Sequence, residues 1–132
     1  NSTYGRNLKV KYGNCSNLYL LDPVYECNML YSLRANASIY IHGHSAGGTN
    51  PSLVEMMHFG IPIFANGCSF NRYTTESKAR YFMCESELVE LQRHLNPDLA
   101  ICIGADMREI AQRRYKWDDI GNAYFELLVS DN

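Results

Sequence analysis

Tyr40-Ile41-His42-Gly43-His44-Ser45-Ala46-Gly47-Gly48-Thr49-Asn50-Pro51-Ser52-Leu53-Val54-Glu55 reads as a strand, a glycine-rich turn and a capped helix in succession. Residues 38–42 alternate β-branched and aromatic side chains with others, the period of a strand. Gly43, Gly47 and Gly48 permit a tight turn. Asn50 followed by Pro51 is a strong helix start, because the asparagine side chain caps a free N–H and proline has no N–H to leave unpaired. A helix N-terminus reached in this way favours an anion through its unpaired amides and its dipole.

The same letters fit a second chemistry. Gly43-His44-Ser45-Ala46-Gly47 matches the G-x-S-x-G nucleophile elbow of serine hydrolases, in which a strained turn exposes the serine. In an elbow the helix begins directly after the serine, which would put Pro51 in its second turn at a cost of about 3 kcal/mol. The helix is therefore expected to start later. No aspartate lies between Ser45 and His94, the last histidine, and Glu76, Glu85, Glu87 and Glu90 suit a solvated helix face better than a triad.

Outward from this centre, strand and helix patterns alternate. Residues 2–12 suit a short helix closed by Gly13, residues 18–21 an apolar strand, and residues 23–36 a helix with Val24, Cys27, Leu30, Tyr31 and Leu33 on its inner side. The helix capped by Asn50 should end at Gly60, before an apolar strand over 61–65. Residues 66–76 read as a polar, turn-rich connection and 80–82 as a short edge strand. Residues 85–94 form a helical pattern with Leu88, Leu91 and Leu95 inward, followed by helical patterns over 99–115 and 117–129. Buried strands joined by helical crossovers imply a parallel sheet. The expected fold is thus α/β, a Rossmann-like parallel sheet with flanking helices in a single domain over residues 1–132.

Composition narrows the function. With 132 residues, 46% hydrophobic and 20% charged, the chain suffices for one core. A net charge of -2 without a lysine or arginine cluster argues against nucleic acid as a partner. No apolar run approaches the roughly 20 residues of a membrane span, and no signal-peptide pattern opens the chain, so a cytoplasmic location is expected. Five scattered cysteines without a C-x-x-C pair fit a reducing compartment. His42 and His44 could share a side of an extended segment as metal ligands, with His58 or Cys68 as remote additions, but no further ligand motif is present and no metal is expected.

In an open α/β sheet, ligands collect at the carboxyl ends of the strands, which directs attention to the residues after His42 and after Ala65. Glu55, about one turn into the capped helix, could accept hydrogen bonds from two adjacent hydroxyls such as those of a ribose. The alternative is a carboxylate that only complements the helix dipole.

His42 to Glu55, together with Phe59-Gly60-Ile61-Pro62-Ile63, Phe70-Asn71-Arg72, Ala79-Arg80-Tyr81-Phe82, Tyr115-Lys116-Trp117 and Tyr124, resembles the carboxyl-terminal domain of retaining GT-B glycosyltransferases. The likeness extends over nearly the whole chain and is strongest to bacterial polysaccharide enzymes described as rhamnosyltransferases. It implies a nucleotide-diphosphate sugar donor, with deoxythymidine-diphosphate rhamnose as the donor it points to, and a saccharide or lipid-linked acceptor. It also implies peripheral membrane association of a full-length enzyme and no cofactor. By the same resemblance Glu55 takes the place of the ribose-binding glutamate, and Gly48, Thr49, Asn50 and Ser52 match the loop around diphosphate and sugar.

The chain also departs from the family. The first glutamate of the family's pair is replaced by Gly47, so its contacts to the donor sugar must come from elsewhere, with His44 and backbone amides as candidates. The acceptor-binding amino-terminal domain, the first strand of the donor domain and that strand's Arg and Lys have no counterpart here, which leaves Arg72 as the nearby cation to nominate. No catalytic residue is assigned, and this chain alone is expected to transfer no sugar. A non-catalytic nucleotide-binding module is the remaining alternative.

Overall fold

The computed structural model describes residues 2–129. The chain divides into two compact units, Asn1–Leu33 and Arg34–Asn132. The first unit opens with α1 (Thr3–Tyr12), capped by Ser2, whose Oγ accepts from the Gly5 amide at 3.1 Å. Residues 18–21 do not form the expected strand. Tyr19 is 80% and Leu21 62% exposed, and among the described residues no neighbouring strand supplies partners for their backbone. An apolar run becomes a strand only where another strand takes its N–H and C=O groups.

The second helix, α2 (Cys27–Ala35), begins later than the expected residue 23. Glu26 explains the delay, because its carboxylate accepts from the amides of Asn28 at 3.0 Å and Met29 at 2.6 Å and so caps the helix at that point. Of the side chains expected on its inner face, Cys27, Tyr31 and Leu33 are exposed, and Val24 and Leu30 are half-buried. The amphipathic period marks which face is apolar; it does not guarantee that anything covers that face.

The second unit carries β1 (Tyr40–His42), α3 (Pro51–His58), β2 (Ile63–Asn66), α4 (Ser69–Thr74), β3 (Arg80–Phe82), α5 (Glu85–Arg93), α6 (Pro97–Arg114) and α7 (Trp117–Val129). Its three strands form an open parallel sheet in chain order, with Tyr40 opposite Ile63 and Ala65 opposite Tyr81. This is the α/β architecture expected. The order never reverses, so the switch point of a doubly wound sheet does not lie among the described strands.

The core forms where α3 and α6 meet the sheet. Leu53, Met57, Ile63, Met107 and Ile110 are fully buried together. Gly104 makes the close approach possible, since a Cβ there would lie 2.2 Å from the Gly60 carbonyl oxygen. Gly60, at φ +67°, ends the α3 segment in the left-handed region that glycine adopts without strain. Phe64, buried on the other face of the sheet, borders a cavity of about 320 Å³ with Leu91, Leu95 and Leu99.

Further boundaries differ from expectation, beginning with β1, which starts at Tyr40 rather than at residue 38. The β2 ladder starts at Ile63 because Pro62, just before it, contributes a carbonyl to the Tyr40 amide but has no N–H to give. The helix expected over 99–115 starts at Pro97, capped by Asn96, whose side chain accepts from the Leu99 amide at 2.8 Å. The segment 66–76 is not merely a turn-rich connection but contains α4. Its buried side chains are Asn71 and Thr74, with Thr75 directly after, and polar residues facing inward hide the helical period. After it, Glu76 and Ser77 adopt φ of 48° and 58°, a turn held by ion pairs from Arg113 and Arg114 to Glu76.

The terminal helix α7 matches its expected bounds, yet Trp117, Tyr124, Leu127 and Leu128 are all more than half exposed. No helix among the described residues is long and apolar enough to cross a membrane.

Candidate functional site

The glycine loop leaves the carboxyl end of β1 and runs exposed from Gly43 to Thr49 before α3. Of its three glycines only Gly47 requires glycine's freedom, at φ +110°. Asn50 caps α3 as expected. Its Oδ1 accepts from the Ser52 amide at 3.0 Å and its carbonyl accepts from Leu53 at 3.0 Å, so two of the amides at the helix start are already engaged. Among the described residues, no hydrogen bond engages the amides of Gly47 and Gly48. These two are open to an anion.

The loop is anchored at His44. The side-chain amide of Asn71, a residue only 2% exposed, donates to the His44 carbonyl at 2.9 Å and to the Asn66 carbonyl at 2.9 Å. Further along, Thr49 Oγ1 lies 3.5 Å from Thr74 Oγ1, whose own proton goes to the Phe70 carbonyl at 2.8 Å. The short helix α4, invisible to the sequence pattern, thus supports both ends of the loop.

The His44 ring stacks on His42 with centroids 4.9 Å apart. His42 is 1% exposed, its Nδ1 faces the Tyr40 hydroxyl at 3.2 Å, and its Nε2 is buried without a partner among the described residues. Burial, reinforced by the nearby His44, pushes the His42 pKa down, so the ring is neutral. Stacked imidazoles place their nitrogen lone pairs side by side in near-parallel planes, a poor arrangement for converging on one metal. No cluster of three metal-ligating side chains occurs among the described residues.

Glu55 projects from the middle of α3, beyond its first turn, which removes a simple dipole role. Its Oε2 meets Arg34 Nη2 at 2.6 Å, with the Glu55 side chain 51% exposed and that of Arg34 25%. The pair also lies within electrostatic reach of Tyr40, whose pKa is raised chiefly by burial, lowered by Arg34 and raised by Glu55. The cation beside Glu55 is therefore Arg34, which sequence reasoning missed because the two residues sit on separate helices. Arg72, nominated as the cation for the diphosphate, donates from Nε to the Gly67 carbonyl at 3.0 Å and lies 4.1 Å over the Tyr81 ring. Its charge is committed to the ends of β2 and β3.

The structure brings His44, Thr49, Asn50 and Ser52 together around one loop, with Gly47 and Gly48 at its open part. A separate groove of about 650 Å³ is lined by Gly60, Ile101, Gly104, Ala105, Arg108 and Gln112 among others, and by none of these site residues. Its cations are engaged, Arg108 by the Phe59 carbonyl and Arg113 by Glu76 and Glu109. No protein-family model, characterised protein or solved structure matches this chain.

Proposed function

We propose that the glycine loop and α3 bind the diphosphate and ribose of a nucleotide sugar, as the donor-binding part of a GT-B glycosyltransferase that moves rhamnose or a similar sugar onto a bacterial polysaccharide. The observation that carries this reading is the combination of unengaged Gly47 and Gly48 amides in the loop with a half-exposed Glu55 carboxylate on the helix that follows it. Amides and a helix dipole stabilise a diphosphate, and a carboxylate accepts from ribose hydroxyls. Arg34 holds one oxygen of Glu55, which orients the other toward a ligand and leaves lone pairs on both.

In a transferase of this kind the leaving diphosphate is stabilised by amides and by protein cations aimed at it. Transfer needs donor and acceptor in one cleft, a positional effect of roughly 7 to 11 kcal/mol. The step assigned to the glycine loop and α3 is donor binding, at micromolar to millimolar affinity, about -8 to -4 kcal/mol. Calorimetry with a panel of nucleotides and nucleotide sugars, deoxythymidine-diphosphate rhamnose among them, tests the reading. Binding that requires both diphosphate and ribose supports it, and silence across the panel abandons it.

A further inference from the structure

We propose that Asn71 is the positioning residue of the glycine loop, acting as a two-proton clamp between the end of β2 and the His44 carbonyl. Its part in ligand binding rests on the nucleotide-sugar reading above, but the clamp itself can be measured without any ligand.

A loop with three glycines loses more backbone freedom on ordering than most, so a defined geometry needs anchors. Asn71 supplies a buried anchor at the His44 end of the loop. A carboxamide carries two N–H protons, and here one goes to Asn66 at the end of β2 and the other to His44 in the loop, each at 2.9 Å. The residue's own backbone is secured, because its carbonyl accepts from Thr75 Oγ1 at 2.7 Å and Thr75 is fully buried. The remaining contact to the His44 carbonyl is the Cys68 thiol at 3.8 Å, a weak donor. On the ring side, His44 rests on His42, itself held at Nδ1 by Tyr40. The carbonyl is thus held from the end of β2 and the ring from the end of β1, and the amides of Gly47 and Gly48 follow from that fixed point.

The chemistry of the clamp is specific to two donors. Aspartate has the same shape but presents lone pairs to two carbonyl oxygens, so Asn71→Asp should release the loop while keeping the volume. Protonating that carboxyl restores one donor. Asn71→Asp should therefore be impaired at pH 8 and recover in part near pH 5, relative to the wild type at each pH. A residue that only fills space would show neither effect.

The test is nuclear magnetic resonance of the full chain, with and without deoxythymidine-diphosphate rhamnose. In the wild type, the Asn71 carboxamide protons should exchange at least tenfold more slowly than those of exposed Asn122. Equal exchange overturns the proposal, and this measurement decides the matter even if Asn71→Asp fails to fold. In Asn71→Asp at pH 8 the His44 ring resonances should lose the shift that comes from stacking on His42, and donor affinity should fall about tenfold, the scale for one broken and repelled buried hydrogen bond. Unmoved His44 resonances overturn the clamp whatever the affinity does. If His44 moves as expected but the wild type binds no nucleotide sugar, the clamp stands and the donor reading falls.

Discussion

Arg34 Nη2 meets Glu55 Oε2 at 2.6 Å, tying the first residue of the second unit to the middle of α3. With half of the Glu55 side chain in solvent, the pair contributes only about 0 to 1 kcal/mol to stability. Its consequence is orientation, and orientation is measurable through binding.

Glu55→Ala should lose about 1.5 to 3 kcal/mol of nucleotide-sugar affinity, the range for hydrogen bonds to a charged group. Arg34→Met should lose less, because the carboxylate remains and only its aim is relaxed. Isothermal calorimetry on both variants, with circular dichroism to check folding, decides the point. Unchanged affinity in Glu55→Ala would remove the residue from the site.

Acid should destabilise this protein through His42. Burial lowers the folded-state pKa below the ordinary 6.5, so the unfolded chain takes up a proton more readily than the folded one. The stability linked to this group is therefore fully present above the unfolded value and is lost as pH falls from about 7 through the folded one. Urea unfolding between pH 5 and pH 8 should show the decline in the wild type and a flatter profile in His42→Gln. Parallel profiles would contradict the assignment.

Two helical glycines should respond in opposite directions. Gly104→Ala places a Cβ 2.2 Å from the Gly60 carbonyl, a backbone atom that cannot step aside, and should cost about 1 to 3 kcal/mol. At Gly121 a Cβ meets nothing within 4 Å, and Gly121→Ala should stabilise α7 by up to about 1 kcal/mol. Thermal melts of the two variants give the comparison, and a tolerated alanine at 104 would mean that α3 and α6 are not pressed together as described.

Ser45 should be inert toward esters. Pro51, not Ala46, opens α3, so the serine sits in an exposed loop without the strand-to-helix turn that an elbow uses. Neither fluorophosphonate labelling nor ester hydrolysis is expected, in the wild type or in Ser45→Ala. Robust labelling at Ser45 would instead favour the hydrolase.

The local sequence determined the part of the fold written in caps and periods. Asn50-Pro51 starts a helix whose first amides the asparagine satisfies within three residues, and such contacts need no knowledge of the rest of the chain. The bounds of α7 and the placement of Glu55 past the start of α3 were legible for the same reason, and the parallel sheet was legible from the alternation of strand and helix patterns. Tertiary structure decided everything that depends on which segments meet. Residues 18–21 look like a strand, but among the described residues no strand pairs with them, and α7 has an apolar face that stays in solvent. Asn71, in a segment that reads as a polar turn, becomes a buried clamp because the end of β2 and the glycine loop arrive within reach of one carboxamide. Arg34 becomes the partner of Glu55 because the folded second unit brings the two side chains within 2.6 Å of each other. A cap or a period acts over three or four residues, whereas burial and a hydrogen bond spanning 27 residues belong to the folded chain alone.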